Sequence, residues 1–193
     1  MKAKISLKPF EVIIDETNKS SSFFKILIGE DRTLYLNGSL YYYDKNCFFS
    51  RDKKKCASEI ARIFTTPENF HRNVEGSFVC FMVDNKNKKF YAFADRVSTK
   101  DLYCYQDKSC VYVSDSIKEF SLENKSLDSF ALVNILLMLY PPKRSTLFNN
   151  VKRLSSTQIL YIGNNSIKVM TIRQKPLSII NYDASKIETY KDI

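Results

Sequence analysis

The chain has few of the residues that common catalytic and nucleotide-binding motifs require. Its 193 residues include four glycines and a single histidine. Gly29, Gly38, Gly76 and Gly163 stand far apart, so no glycine-rich phosphate loop or dinucleotide-binding fingerprint is present. The sequence contains no G-x-S-x-G motif, which argues against Ser/His/Asp hydrolysis with His71 as the base. A surface or packing role is favoured for His71.

The cysteines lack the spacing of a zinc site or a disulfide framework. There are five, an odd number without C-x-x-C pairs, which is typical of reduced thiols. A site built from Cys47, Cys56 and His71 would lack ligand spacing. The longest apolar run, residues 130–140, is too short to cross a bilayer, and no secretory leader opens the chain. We therefore expect a cytoplasmic protein.

The net charge of +9 raises the possibility of nucleic-acid binding. The lysines are scattered, however, and the one tight run, residues 53–55, stands where a helix is expected to begin. Tyrosines 41–43 could stack on bases beside lysines, or could be half-buried strand residues. A basic nucleic-acid-binding module remains an alternative hypothesis.

Local patterns predict helices interleaved with antiparallel strands. Residues 10–14, 23–28 and 33–37 are rich in strand formers. A helix is expected over residues 54–64, ended by the Thr-Thr-Pro of residues 65–67.

Three hairpins are expected further along the chain. The first joins residues 78–83 to 89–94 across a polar turn. The second joins residues 102–105 to 110–113, and the third joins 157–162 to 166–172 across Gly-Asn-Asn; the paired segments are alternating or β-rich.

The turn of the second hairpin bears on the cysteines. If residues 107–108 form a two-residue turn, Cys104 faces Val111 and Cys110 faces Tyr105. A disulfide between the two cysteines is then disfavoured.

A second helix lies between the second and third hairpins. Ser126 can cap it, and Pro141–Pro142 stops it. One apolar stripe runs along it: Phe130, Val133, Leu136, Leu137 and Tyr140. The whole pattern predicts an α+β domain over residues 1–172, followed by a linker or tail over residues 173–193.

Four segments in order carry a family resemblance. They are Val-Glu-Gly-Ser-Phe-Val-Cys-Phe (74–81), Phe-Tyr-Ala-Phe-Ala-Asp-Arg (90–96), Lys-Asp-Leu-Tyr (100–103) and Val-Ser-Asp-Ser-Ile-Lys-Glu-Phe (113–120). With residues 36–42 upstream and 127–154 downstream, they resemble the class II glutamine amidotransferase (glutaminase) domain of the asparagine synthetase family. The resemblance implies an N-terminal-nucleophile fold, α+β, with two stacked antiparallel β-sheets flanked by helices.

The resemblance implies chemistry that this chain has not kept. The family's nucleophile is a cysteine immediately after the initiator Met, and here that position is Lys2. Asn37–Gly38 matches the pair that stabilises the oxyanion, although a tight β-turn is an equal alternative. Arg32 does not match the spacing of the arginine that holds the glutamine carboxylate, and Ala57 replaces the acidic residue that binds its amine.

The resemblance also places a charged cluster in the middle of the chain. Asp95, Arg96 and Lys100 match part of the family's Arg-Asp-Arg-x-Gly-x-Lys motif. We interpret the cluster as structural, with a buried Asp–Arg pair holding a hairpin junction.

These matches and departures suggest a glutaminase-like domain that does not hydrolyse glutamine. It would act as a scaffold or substrate-presenting domain of an ATP-dependent, amide- or lactam-forming enzyme. The implied partner is an ATP-pyrophosphatase-type synthetase domain in cis or in trans, and a homodimer is possible. No cofactor or metal is expected in this chain; ATP and Mg²⁺ would bind only to the partner, since the family's ATP-binding loop is absent here. A divergent, active glutaminase that supplies ammonia is the alternative.

Overall fold

A computed structural model describes residues 1–15, 23–43, 47–48, 53–120, 126–141, 145–163 and 166–172. The strands are β1 (Lys2–Leu7), β2 (Phe10–Asp15), β3 (Phe23–Ile28), β4 (Arg32–Tyr43), β5 (Cys47–Phe48), β6 (Val74–Asp84), β7 (Lys89–Ala94), β8 (Tyr103–Gln106), β9 (Cys110–Ser114), β10 (Val151–Arg153), β11 (Gln158–Gly163) and β12 (Ser166–Thr171). The helices are α1 (Lys53–Ile63), α2 (Pro67–Asn73) and α3 (Ser129–Met138), with a 3-10 turn at Ile117–Glu119.

The strands form two antiparallel sheets, which confirms the expected α+β class. The smaller sheet has the order β10-β8-β9-β1-β2. The larger has the order β12-β11-β7-β6-β4-β3, with β5 paired to β4. The long strand β6 lies between β4 and β7 and is buried along most of its length, so it forms the centre of the domain.

Two hydrophobic clusters hold the layers together. The first fills the space between the sheets: Ala3, Ile5, Val79, Phe81, Val83, Phe90, Ala92, Ala94, Leu102, Val111, Val113, Leu154, Leu160 and Ile162. The second joins the larger sheet to the helices and includes Cys56, Ile60, Phe64, Phe70, Phe78 and Phe93. Alternate residues of β6 supply each cluster, as the two-residue period of a strand requires.

Helix α1 confirms the first predicted helix, and α2 was missed. Pro67 had been read only as the end of α1. It also occupies the first turn of α2, where proline is favoured. The Thr66 side chain caps α2 by accepting a hydrogen bond from the Asn69 amide at 3.1 Å. Helix α2 places Phe70 edge-on to Phe78 and Phe93 in the core.

Several strand predictions are confirmed, and three strands, β1, β5 and β10, were missed. The segment 23–28 is β3 as predicted, and the first hairpin is β6–β7. Strand β1 begins with lysines at positions 2 and 4, on its more exposed face. These lysines alternate with the buried residues of its apolar inner face and obscured the strand pattern. Strand β10 is three residues long, too short to show any period.

The turn of the second hairpin was placed one residue too early. The observed pairs are Gln106 with Val111 and Cys104 with Val113. The two turn residues are therefore Lys108 and Ser109. Cys104 and Cys110 are still not partners, and both are free thiols.

Helix α3 has a different cap and end from those predicted. Asp128, not Ser126, caps it by accepting a hydrogen bond from the Ala131 amide at 2.9 Å. The helix ends at Met138 because Leu139 adopts a left-handed conformation, with φ of 63°. It therefore stops before Pro141. The predicted tail, residues 173–193, and the turn residues 164–165 lie outside the described residues.

Candidate functional site

Asn37 lies on the face of the larger sheet that looks toward the smaller one. Leu34, Leu36 and Leu40 point from β4 into the helix-side cluster, so Tyr35 and Asn37 point the other way. Asn37 is 9% exposed, and its Nδ2 donates a hydrogen bond to Asp115 Oδ2 at 2.9 Å. The amide that the resemblance assigns to an oxyanion hole is thus engaged by a carboxylate of this same chain.

Asp115 links Asn37 to the first residue of the chain. Its Oδ1 accepts from the α-amino group of Met1 at 2.6 Å, forming an ion pair. The Met1 carbonyl accepts two further hydrogen bonds, from the Asp115 backbone amide at 3.3 Å and from the Ser114 side-chain hydroxyl at 3.3 Å. A single carboxylate therefore bridges an ammonium group and a side-chain amide where β9 ends and β1 begins.

Gly38 has a steric reason to be glycine. Its φ is 143°, and a Cβ there would overlap the Ser77 carbonyl oxygen and crowd Phe78. Gly76 on the neighbouring strand would likewise meet the Ser39 carbonyl oxygen. The two glycines let β4 and β6 approach closely. The Asn37–Gly38 pair lies inside β4, so the alternative interpretation of the pair as a tight turn is wrong.

The structure places Lys2 away from the Asn37 amide. Ala3 and Ile5 of β1 are fully buried between the sheets, so Lys2 and Lys4 belong to the outer face. The residue at the entry to β1 that contacts Asp115 is Met1, through its α-amino group and its carbonyl, and the Met1 side chain packs against the inter-sheet cluster. The position predicted for the nucleophile thus holds a lysine that faces outward.

Asp95 is the centre of the charged cluster. It is 1% exposed and follows β7 directly. Its carboxylate accepts hydrogen bonds from the amides of Val97 at 3.1 Å and Thr99 at 3.1 Å, and from the Thr99 hydroxyl at 2.7 Å. Longer bonds of 3.4 Å come from the amides of Phe78 and Lys100.

The partners of Asp95 differ from those expected. Arg96 reaches Glu75 at 3.4 Å, across the surface of β6, and is only partly buried. The Asp95 carboxylate is satisfied instead mainly by backbone amides, together with the Thr99 hydroxyl, and these bonds wrap residues 95–100 into a tight loop. Lys100 contributes its backbone amide to this loop. The charged cluster is structural in form, but backbone donors hold it in place of the expected Asp–Arg pair.

His71 is a packing residue, which is one of the two roles, surface or packing, expected from the sequence. It is 1% exposed and lies edge-on to Phe93 at 5.6 Å between ring centroids. Neither ring nitrogen has a hydrogen-bond partner of good geometry among the described residues. Burial, together with the charges of Arg96 and Arg72, lowers its pKa to about 4, although the Ser156 backbone and Asp95 oppose this shift. The ring is therefore neutral at pH 7.

The described cysteines lie away from Asn37. Cys80 points from β6 into the helix-side cluster, as does Cys56 from α1. Cys104 packs at the smaller sheet, and Cys110 lies at the opposite end of β9 from Ser114.

Burial leaves three of these thiols protonated. It raises the pKa of Cys56 and of Cys104 to about 11, and raises that of Cys80 well above its usual value. Hydrogen bonds from Ser109 and Ser6 lower the pKa of Cys110. That thiol still stands about 13 Å along the strand from Ser114.

Arg32, the nearest candidate for the carboxylate anchor, and Ala57, which replaces the amine anchor, also lie away from the Asn37 side chain. Arg32 begins β4, about 17 Å along the strand from Asn37, and donates to the Thr65 carbonyl at 3.4 Å. Ala57 packs on the helix side of the larger sheet, the opposite face from Asn37.

Sequence reasoning found Asn37 and Asp95 but missed Asp115 and Met1. Asp115 lies inside one of the quoted segments, yet its neighbours in sequence give no sign of its contacts. Those contacts depend on β9 pairing with β1 across more than 100 residues of chain.

Within the described ranges, no group of three or more His, Cys, Asp or Glu residues is arranged to hold a metal ion. None of the helices in the same ranges is long and apolar enough to cross a bilayer.

Comparison with known proteins identifies the family. The sequence model of the glutamine amidotransferase domain matches residues 13–173. The match covers most of the chain, so the chain belongs to the glutamine amidotransferase domain family. No curated protein sequence matches significantly.

Solved structures give a fainter likeness. One is the glutamine phosphoribosylpyrophosphate amidotransferase from B. subtilis complexed with ADP and GMP, at 11% identity and a TM-score of 0.42, covering 82% of this chain and 32% of that one. Another, titled as the allosteric regulatory enzyme of purine biosynthesis, has 10% identity and a TM-score of 0.41, covering 79% of this chain and 31% of that one. The chain thus spans about a third of the length of these proteins.

Proposed function

We propose that this chain is a glutamine amidotransferase domain that no longer hydrolyses glutamine. It acts as a scaffold or substrate-presenting domain of an asparagine-synthetase-like, ATP-dependent enzyme that forms an amide or lactam bond. The observation that carries the proposal is the bond from Asn37 Nδ2 to Asp115, at 2.9 Å.

An oxyanion hole works by offering preorganised donors to a charge that develops only in the transition state. In this chain the Asn37 amide already donates to a full negative charge, and that charge is itself paired with the Met1 amino group. An incoming tetrahedral oxyanion would have to displace the carboxylate and would then lie beside it. The arrangement therefore opposes the charge that glutamine hydrolysis must create.

The positions of the thiols support the same conclusion. Covalent hydrolysis of glutamine needs an activated nucleophile within reach of the oxyanion donors. None of the four cysteines whose side chains are described lies at Asn37, and Cys56, Cys80 and Cys104 have raised pKa values. Lys2 faces outward from β1.

The segments around Asn37 are nevertheless connected by hydrogen bonds and strand pairing. The Asp95 loop is tied to β6 through the Phe78 amide and carbonyl, and Phe78 stands opposite Gly38 in the ladder. The loop, the central strand and the Asn37–Gly38 segment are thus one connected unit. Such a unit can hold a substrate or a neighbouring domain without performing the first chemical step.

The partner under this proposal is an ATP-pyrophosphatase-type synthetase domain, which would bind ATP and Mg²⁺. The test is to recover the tagged polypeptide from its native source, measure its mass and identify stably bound proteins by mass spectrometry. We expect a synthetase domain with an ATP-binding loop, on the same polypeptide or on a co-purifying one. Recovery of the polypeptide with neither would overturn the scaffold role.

A further inference from the structure

Helix α3 carries the apolar stripe predicted from the sequence, but the stripe faces outward. Phe130 is 67% exposed, Leu136 72% and Leu137 73%, whereas Ala131 on the opposite side is fully buried. Val133 and Met138 of the helix are also exposed, and the exposed surface continues beyond the two ends of the helix through Leu127, Leu139 and Tyr140. We call these residues, with Phe130, Leu132, Leu136 and Leu137, the α3 surface.

The α3 surface is larger than the apolar patches of ordinary monomers. Its exposed fractions correspond to roughly 900 Å² of exposed, mostly apolar area, with about 150 Å² for an aliphatic and about 200 Å² for an aromatic residue. The largest patch on a typical monomer is about 300–600 Å², and a stable interface buries about 800 Å² on each partner. The α3 surface alone is therefore large enough to make one side of a stable interface.

Its chemistry favours a second copy of the same chain. Residues 129–141 contain no charged side chain, and the neighbouring Asp128 uses its carboxylate to cap its own helix. A chain with a net charge of +9 repels its copies wherever charged faces meet, but this surface adds no like-charge pair to the contact. An interface that resembles a domain core cut in half is typical of obligate homodimers and of permanent complexes, while transient interfaces carry more polar groups.

The spacing of the side chains fits helix-to-helix packing. Phe130, Val133 and Leu137 are separated by three and then four residues, so they lie along one seam of the helix. Two such seams related by a two-fold axis present the same residues to each other and are self-complementary.

We propose that the α3 surface is a homodimer interface, in which the outward stripe of α3 packs against the same stripe of a second copy. The interface lies on a different element from Asn37 and Asp115. Its failure would therefore leave the proposed function untouched.

The test is sedimentation equilibrium of the full chain from about 1 to 100 µM at 0.15 M salt. We expect a species of twice the chain mass. Leu136→Glu and Leu137→Glu should each weaken the dimer roughly 100-fold or more, because each substitution enters a symmetric interface twice. Leu27→Glu is the matched control, since Leu27 is 68% exposed on β3, and it should leave the dimer unchanged.

Circular dichroism checks that the variants remain folded, and cross-linking gives a second readout. Leu136→Cys should form a disulfide between two copies under mild oxidation, and Leu27→Cys should not. A wild-type chain that is monomeric throughout the concentration range would overturn the proposal. A dimer that survives both glutamate substitutions would also overturn it, because it would use another surface.

Discussion

Replacement of Asp95 by alanine tests how the loop beside the site is held. The substitution removes a buried carboxylate that accepts from three amides and one hydroxyl of residues 97–100, and from the Phe78 amide. The Phe78 amide is buried and has no access to water once the carboxylate is gone. The other donors are partly buried and can be rehydrated in part.

The expected loss follows from these contacts. A buried donor left unsatisfied costs about 1–3 kcal/mol, and bonds to a charged acceptor contribute about 1.5–3 kcal/mol, without simple additivity. We expect Asp95→Ala to lower the free energy of unfolding by about 3 kcal/mol. For a chain of this size, that corresponds to a fall in melting temperature of about 6–12 °C.

Urea denaturation monitored by circular dichroism measures the loss directly. Thr99→Val keeps the backbone amides but removes the hydroxyl bond to Asp95, together with the exposed contact between the Thr99 and Ser77 hydroxyls, and should cost about 1 kcal/mol. Asp31→Asn is the surface control, because Asp31 is half exposed and meets Lys86 only at 4.0 Å, and it should change stability by less than about 1 kcal/mol. A loss of less than about 1 kcal/mol for Asp95→Ala would refute the view that this carboxylate organises the loop.

Three further predictions concern packing and pH. The buried ring of His71 has a pKa of about 4, so between about pH 6.5 and pH 4 the unfolded state binds a proton that the folded state does not, and the free energy of unfolding falls as the pH is lowered. His71→Phe should reduce this fall by up to about 3 kcal/mol. An unchanged pH profile of urea midpoints would contradict this. Gly38→Ala should destabilise the domain by more than about 2 kcal/mol in thermal melts, since its Cβ would overlap the backbone of β6, and a neutral effect would show that β4 and β6 can separate. Burial raises the pKa of Asp84, but the hydrogen bonds of Asn87 and the charges of Arg32 and Lys89 outweigh this effect, so the pKa is lowered overall. Asn87→Ala should therefore raise the pKa of Asp84 in a ¹³C NMR titration. The stability that Asp84 provides above its unfolded pKa would then be lost at a higher pH as the solution is acidified.

Local patterns were sufficient for most elements of the larger sheet. A β-hairpin is predicted consistently by three features: the run of apolar residues in β6, the polar turn after it and the alternation in β7. The sequence alone misplaced the β8–β9 turn, because Asp107, Lys108 and Ser109 are all acceptable turn residues and only the pairing of β9 with β1 fixes the register.

The candidate site was less accessible to sequence reasoning. Asn37–Gly38 was found through a family pattern, and the steric reason for Gly38 appears only when β6 is beside it. The bridge from Met1 through Asp115 to Asn37 joins three segments far apart in the chain, so no local pattern could reveal it. The apolar stripe of α3 was predicted correctly from its helical period. The period shows which side chains share a face of the helix, but it does not show whether that face is buried or exposed.

The most direct test of the central claim is ammonia release from L-glutamine by the purified chain, measured alone and with its synthetase partner and ATP. Our account predicts no release above that of Asn37→Ala, because the Asn37 amide is engaged by Asp115 and no described thiol lies beside it. Ammonia release that is abolished by Asn37→Ala would contradict the account and show that the domain is an active glutaminase.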